Sequence, residues 1–429
     1  MKKLFKVLAF LTLVSMMVGG GLAVCAEKPV VTMLTWGDPK FAQKQMDIFL
    51  VTYPEYKDKV EFKFEVGGQG DQEVAQKLRL GLAAGETLPD VVQMNRTQYS
   101  EFVEAGALEN LTPYFKDVAG NMTAGAKSLV TYKGKMYAFP YELKAKLWFY
   151  RKDMFDAAGI DAAKVKNTND LIAAGKKLKA KYPNAYIWNM GPMMAAYNLF
   201  EVLSGNGARV IDKNGNFVIT KDKGVRAAFL EFKKLHDSGV IAPIQDWTPD
   251  WEAALAKGNI ASTLIGSWMR AFLPQYSPDG AGKWAVTTWP VIGGADGGSE
   301  AGGSLFVIPK NAKNKKLAIE IYKKAYMMKA GAIAEYLKSG TFVPYTLDAL
   351  ADPELQKPDP YFIGTTYMTA YTEALKKFKV FPYDPAAAKE LSVLNQYLIE
   401  YYNGRLSLKD ALAKAENDLK NTVGNPLKK

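Results

Sequence analysis

Residues 30–94 switch repeatedly between two hydrophobic periods, and this switching limits the possible folds more than any other feature. Val30-Val31-Thr32-Met33-Leu34-Thr35-Trp36 is a largely apolar run ended by Gly37-Asp38-Pro39. Such a run suits a parallel strand buried on both faces. Phe41, Met46, Ile48 and Phe49 then mark a helix that Pro54 stops. Residues 60–66 alternate strictly and read as a strand running into Gly67-Gly68-Gln69-Gly70. Val74, Leu78 and Leu82 mark a second helix ended by Gly85, and Asp90-Val91-Val92-Gln93-Met94 follows Pro89 as a third strand. The order β-α-β-α-β opens a parallel sheet with right-handed crossovers, the signature of an α/β fold.

Further along, short strands are expected at 136–139, 147–150, 261–265, 284–290 and 305–308. Helices are expected at 170–181, 224–235 and 251–257, and the final third, from residue 315, reads as mostly helical, closing with 391–402 and 408–419. A glycine-rich loop covers 293–303. It lacks the Gly-Lys-Ser/Thr ending of a phosphate loop and is expected to be a mobile surface loop with its last glycines near a cleft.

The first 26 residues read as an export signal. Lys2, Lys3 and Lys6 form a positive start, 7–18 is apolar, and small residues lead to Val24-Cys25-Ala26. The apolar run is short for a membrane span and no stop-transfer pattern follows. Two processing routes fit: cleavage after Ala26, or lipidation at Cys25. Val24 suits the lipid motif poorly, and cleavage fits better. Cys25 is the only cysteine, so both routes exclude disulfides, thiol nucleophiles and cysteine metal sites.

The 429 residues suggest two domains or one bilobal unit, and 48% hydrophobic with 23% charged residues is ordinary globular composition. Removing the leader's three lysines from the net charge of +11 leaves +8. Those charges are dispersed among acids, without a basic block interleaved with aromatics, so nucleic acid is not an expected partner. His236 is the only histidine. It falls in the last turn of a helix ended by Gly239, where a cation is favourable. One histidine and no free cysteine argue against a zinc site and a Ser-His-Asp triad. No cofactor, metal or catalytic residue is expected.

The order of several short motifs resembles the extracellular solute-binding proteins of family 1, the sugar-capturing subunits of ABC importers. The motifs are Leu82-Ala83-Ala84-Gly85 with Pro89-Asp90-Val91-Val92, then Ala105-Gly106-Ala107-Leu108-Glu109-Asn110-Leu111, and Gly134-Lys135-Met136-Tyr137-Ala138-Phe139-Pro140. Trp148-Phe149-Tyr150-Arg151-Lys152-Asp153-Met154-Phe155 follows, then Ala158-Gly159-Ile160, Lys257-Gly258, Gly266-Ser267-Trp268, Gly302-Gly303, and Gly340 with Pro344. Each is weak alone; their order over about 250 residues is specific. Where the family often has Thr-Trp-Asp-Glu-Leu, this chain has Asn167-Thr168-Asn169-Asp170-Leu171, with Thr168 or Asn169 expected as the helix cap.

The resemblance implies an α/β, two-lobe periplasmic-binding-protein fold of type II, with a hinge and an interlobe cleft. Lobe 1 would comprise 27–140 and 288–326, and lobe 2 would comprise 141–287 and 327–429, after a signal peptide at 1–26. The chain would cross near Tyr141, near Thr287 and near Tyr326. Ligand would favour the closed state by its differential affinity, and a membrane permease would read that state.

Ligands of open parallel sheets bind beyond the carboxyl ends of the strands. That rule selects Trp36, Asp38, Gly68, Gln69, Asn95 and Arg96, then Tyr141 and Glu142 at the first crossing. In the second lobe it selects Trp188, Asn189, Trp247, Trp251 and Trp268, then Trp289, Gly302 and Gly303 around the second crossing. The chemistry suits a sugar: rings stack on the apolar face of a pyranose while polar side chains hold its hydroxyl rim. Each has a bland alternative. Trp36, Trp247 and Trp251 are also natural core residues, and Asn95 or Arg96 can cap a helix. An exported glycosidase would need two carboxylates across a bond, and no local motif pairs Glu142 with Asp38 or Asp250. Arg96, Arg270 and Lys144 near cleft segments keep an acidic sugar open. The expected protein is an exported monomeric receptor, periplasmic or extracellular, for a mono- or oligosaccharide. Its protein partners would be the transmembrane subunits of an ABC permease.

Overall fold

The computed structural model describes residues 27–141, 143–192, 194–294, 303–364 and 366–428. The leader with Cys25, Glu142, and most of the glycine-rich loop including Gly302 lie outside the described residues. Twelve strands are present among them: β1 Val30–Trp36, β2 Glu61–Gly68, β3 Val91–Asn95, β4 Thr131–Tyr132, β5 Lys135–Met136, β6 Ala138–Pro140, β7 Lys146–Arg151, β8 Trp188–Asn189, β9 Ile241–Ala242, β10 Ser262–Gly266, β11 Trp284–Thr288 and β12 Ser304–Val307.

The opening β-α-β-α-β pattern builds the first sheet, with strand order β2-β1-β3-β12-β6. β1 pairs parallel with β2 and β3, and β12 returns antiparallel between β3 and β6. The helices Lys40–Thr52 and Asp71–Ala84 are the crossovers. Gly85 ends the second of them at φ +66°, a left-handed conformation that glycine adopts without strain. Gly68 is needed where β2 meets the next helix. A Cβ there would lie 2.3 Å from the Cβ of Glu73.

The second sheet is β10-β7-β11, both neighbours antiparallel to β7. The parallel pair β8–β9 joins the β10 side through the Tyr186–Ile260 bridge. Helices Thr168–Lys181, Met194–Asn206, Lys223–Asp237, Ala387–Tyr402 and Leu408–Thr422 pack over it. Asn167 caps the first of these, its Oδ1 accepting from the backbone N–H of Asn169 and Asp170, so the cap falls one residue before the expected Thr168 or Asn169. His236 stacks on Tyr402 at the end of Lys223–Asp237.

Period-2 alternation in β7 decides where the core goes. Leu147 and Phe149 join an apolar cluster continuous with the first sheet, while Trp148 points into the cluster under the second sheet's helices. One core therefore runs from the first sheet to one face of the second. Helix Lys329–Ser339 packs on Lys40–Thr52 and Lys315–Tyr326, alongside the first sheet, whereas Tyr367–Lys376 packs on β11 and β7. Among the described residues no helix is long and apolar enough to cross a membrane.

Candidate ligand cleft

On the first-sheet side, the ends of β1, β2 and β3 supply the edge. Trp36 is half-buried at the end of β1 opposite Gly68, and the Gly37 N–H donates to the Gly68 carbonyl at 3.0 Å. Asp38 is exposed, with Oδ1 accepting from the Lys40 N–H at 2.9 Å at the start of the next helix, and Gln69 is exposed beside it. Asn95 ends β3 and caps helix Arg96–Glu104, accepting from the Thr97 N–H at 3.1 Å. The Arg96 N–H donates to the Gly303 carbonyl at 3.0 Å. The Arg96 guanidinium lies over the rings of Tyr99 at 5.0 Å and Tyr383 at 5.6 Å.

On the second-sheet side, aromatic rings form a wall. Trp247 is 43% exposed and sits at φ +65°, the left-handed region that an L side chain rarely adopts. Its ring lies 5.0 Å from Trp268, 5.3 Å from Phe272, 5.4 Å from Trp251 and 6.4 Å from Tyr276. Trp268, Phe272 and Tyr276 recur every four residues and so share one face across helix Met269–Tyr276. Gly266 makes the Trp268 position possible, since a Cβ there would sit 2.3 Å from the indole nitrogen. Phe272 also meets Phe41 of helix Lys40–Thr52, at 6.0 Å, so the wall touches the first lobe.

Behind the wall lies a buried polar layer. Trp251 is fully buried and its indole N–H donates to Asn189 Oδ1 at 3.2 Å. Asn189 in turn donates to the Ile244 carbonyl at 3.0 Å and to the Asp246 carboxylate. Burial pushes the Asp246 carboxyl up to about 6. Lys146, fully buried at the start of β7, donates to Asn198 Oδ1 at 2.6 Å and pairs directly with Glu201. Its Nζ lies 5.0 Å from the Trp289 ring and 5.7 Å from the Trp188 ring. Burial pulls its ammonium down to about 7, with the charge of Asp246 acting the other way.

These placements sort the sequence candidates. Trp247, Trp251 and Trp268 come together, with Asn189 behind them. Trp188 and Trp289 are buried around Lys146. Trp36, Gly68, Asn95, Arg96 and Gly303 lie along the strand ends of the first sheet. Tyr141 is buried inside that lobe, bonded to Gln45 and to Thr341 Oγ1 at 2.7 Å, with its ring 5.0 Å from Phe306. Glu142 and Gly302 lie outside the described residues. Of the two further cations near cleft segments, Arg270 pairs with Asp359 at 2.7 Å and Lys144 donates to Ser304 Oγ at 2.8 Å. Lys146, Asp246, Phe272 and Tyr383 were not singled out from sequence. The four-residue aromatic spacing was a readable signal for Phe272; nothing local marks the other three.

Two α/β lobes, one carrying open strand ends and the other an aromatic wall, have the architecture of a two-domain binding protein. The chain belongs to the bacterial extracellular solute-binding protein family, whose model matches residues 53–362. It is 27% identical over 314 residues to a lactose-binding protein of Rhizobium radiobacter, covering 71% of this chain and 72% of that one. It is 25% identical over 314 residues to an arabinooligosaccharide-binding protein of Bacillus subtilis, covering 72% and 71%. The fold matches an ABC-transporter-associated binding protein of B. animalis subsp. lactis, solved with beta-1,6-galactobiose, at a TM-score of 0.78 and 24% identity, over 92% of this chain and 97% of that one. Members of the family are exported binding proteins.

Proposed function

We propose that this chain captures a mono- or oligosaccharide in its interlobe cleft and hands it, without transforming it, to the transmembrane subunits of an ABC importer. The observation that carries the reading is the aromatic wall of Trp247, Trp268 and Phe272, backed by the buried Asn189–Asp246 layer and meeting the first-sheet side at Phe41. Rings of this kind suit the C–H face of a pyranose and polar groups its rim. Relatives named for lactose and arabinooligosaccharide binding support a sugar over other solutes. Trp36, Asp38, Gly68, Gln69, Asn95, Arg96 and Gly303 would serve one side of the ligand and Trp247 and Trp268 the other, with the buried Trp251 and Asn189 supporting them from behind. Tyr141, Trp188 and Trp289 would hold the surrounding frame, and Glu142 and Gly302 would also contact the ligand. The lobes would divide at 140/141 and 287/288, and the third crossing, expected near Tyr326, would fall instead between residues 352 and 366, because helix Lys329–Ser339 packs with the first lobe and Tyr367–Lys376 with β11 and β7. The protein would act as a monomer, released by cleavage after Ala26.

The test is thermal unfolding of the ligand-free mature protein against neutral sugars, sugar acids, polyols and short peptides. A true ligand at about 100 times its dissociation constant adds about 2.7 kcal/mol of stability. A shift with one sugar class and no product in the same tube is the expected result. A shift with peptides alone would sink the sugar assignment, and cleavage of an oligosaccharide would sink the non-catalytic one.

A further inference from the structure

A cavity of about 530 Å³ lies against the Arg96 side chain, within the size range of small-ligand pockets. Both lobes line it. Arg96 and Tyr132 come from the first, and Arg209, Lys213, Tyr383 and Glu390 from the second. Arg96 belongs to both places: its backbone follows the end of β3 at the cleft, and its side chain forms the cavity wall.

Arg96 is only 4% exposed, and its Nε and Nη1 are sealed from water without an acceptor. No carboxylate pairs with it among the described residues. The Tyr99 and Tyr383 rings on which it lies restrict its movement. A buried cation without a counter-charge is costly, so such a group is normally paired. Arg96, Lys133, Arg209 and Lys213 line the cavity against Asp212, Asp384 and Glu390. Glu390 is fully buried, and burial with the neighbouring Asp384 pushes its carboxyl well up. Asp212 is occupied by the backbone N–H groups of Asn214 and Asn216. The unmatched charge is that of the Arg96 guanidinium, since Lys133 pairs with Glu104 and Arg209 donates to the Gly207 and Ala208 carbonyls.

We infer that the ligand of this receptor is an acidic saccharide whose carboxylate enters this cavity and pairs with Arg96, with Arg209 and Lys213 closing over it from the other lobe. The inference rests on the sugar-receptor reading and narrows it. A guanidinium suits a planar carboxylate, and a charge-assisted pair is stronger than a bond to a neutral hydroxyl. Because its cations come from both lobes, the carboxylate would also favour the closed state.

Calorimetric titration of the mature protein with matched pairs tests this: digalacturonate against galactobiose, and glucuronosyl-xylobiose against glucosyl-xylobiose. In one pair the acid should bind at least about tenfold tighter than its neutral partner, with the ratio falling as salt rises. Arg96→Gln should collapse that ratio to about one and Arg96→Lys should keep part of it. If Arg96→Gln does not fold, the exposed rim double variant Arg209→Gln/Lys213→Gln carries the test, and its ratio should drop several-fold. Neutral sugars that bind while every acid binds equally or more weakly overturn this inference and leave the receptor reading standing. So does an acid preference that neither variant alters. If no sugar of either kind binds, both readings fall.

Discussion

Trp247 holds a left-handed backbone while presenting an exposed ring, a combination that costs about 1–2 kcal/mol for an L residue. Strain of this kind concentrates at ligand clamps. Glycine should therefore be tolerated better than alanine there: Trp247→Gly should unfold in urea roughly 1 kcal/mol later than Trp247→Ala, the reverse of the ordinary order. Trp268→Ala should weaken sugar binding by about 1–2 kcal/mol, roughly ten-fold in Kd by calorimetry, and an unchanged Kd would remove Trp268 from the platform. The buried layer behind the wall sets a pH dependence. Asp246, at about 6 instead of 3.8, keeps its proton in the folded state where the unfolded chain has lost it. Its contribution to stability is full below about pH 4 and disappears as pH rises through 6. Lys146, at about 7 instead of 10.5, has the opposite imbalance, so stability recovers as pH rises from about 7 toward 10.5. Asp246→Asn should flatten the acid-side decline, which amounts to about 2–3 kcal/mol in urea-unfolding free energies measured from pH 4 to 6.

Local sequence chose most of the elements. Gly85, Asn167 and Gly258 stand at helix ends for stereochemical and capping reasons that need no tertiary information. Gly175 is different. It sits inside helix Thr168–Lys181, where alanine would ordinarily stabilise, but a Cβ there would come within 2.6 Å of Val240 and 3.0 Å of Ile187. Gly175→Ala should therefore cost about 1–3 kcal/mol, read as a lower urea midpoint with an unchanged slope. A stabilised Gly175→Ala protein would show that Val240 yields easily. The two-residue strands β8 and β9 and the helix Met194–Asn206 were not legible in advance. Short pairs such as β8 and β9 carry too few residues for a period, and this helix is apolar enough to hide its amphipathic face.

At the level of the molecule, the lobes touch across the cleft. Ser100 Oγ donates to the Asp384 carbonyl at 2.7 Å, and Arg270 ties the second lobe to Asp359 and, at 4.3 Å, to the Tyr336 ring on the first-lobe side. Ser100→Ala should remove about 1 kcal/mol from the closed form. Ligand-free protein should then show a larger radius of gyration by X-ray scattering, and ligand-saturated protein the unaltered one. Equal radii without ligand would mean that this bond does not hold the lobes together. The α/β character and the opening β-α-β-α-β order were legible in the chain, because period, caps and glycines act over a few residues. Which tryptophans gather into one wall was not, because Trp247, Trp251 and Trp268 approach only through the packing of separate segments. The same holds for Lys146 and Glu201, which lie 55 positions apart and form a buried pair. It holds too for helix Lys329–Ser339, whose apolar face meets Lys40–Thr52 nearly three hundred residues upstream. Local propensity names an element, but which faces meet depends on burying their apolar area together, and that is decided only once the chain has closed on itself.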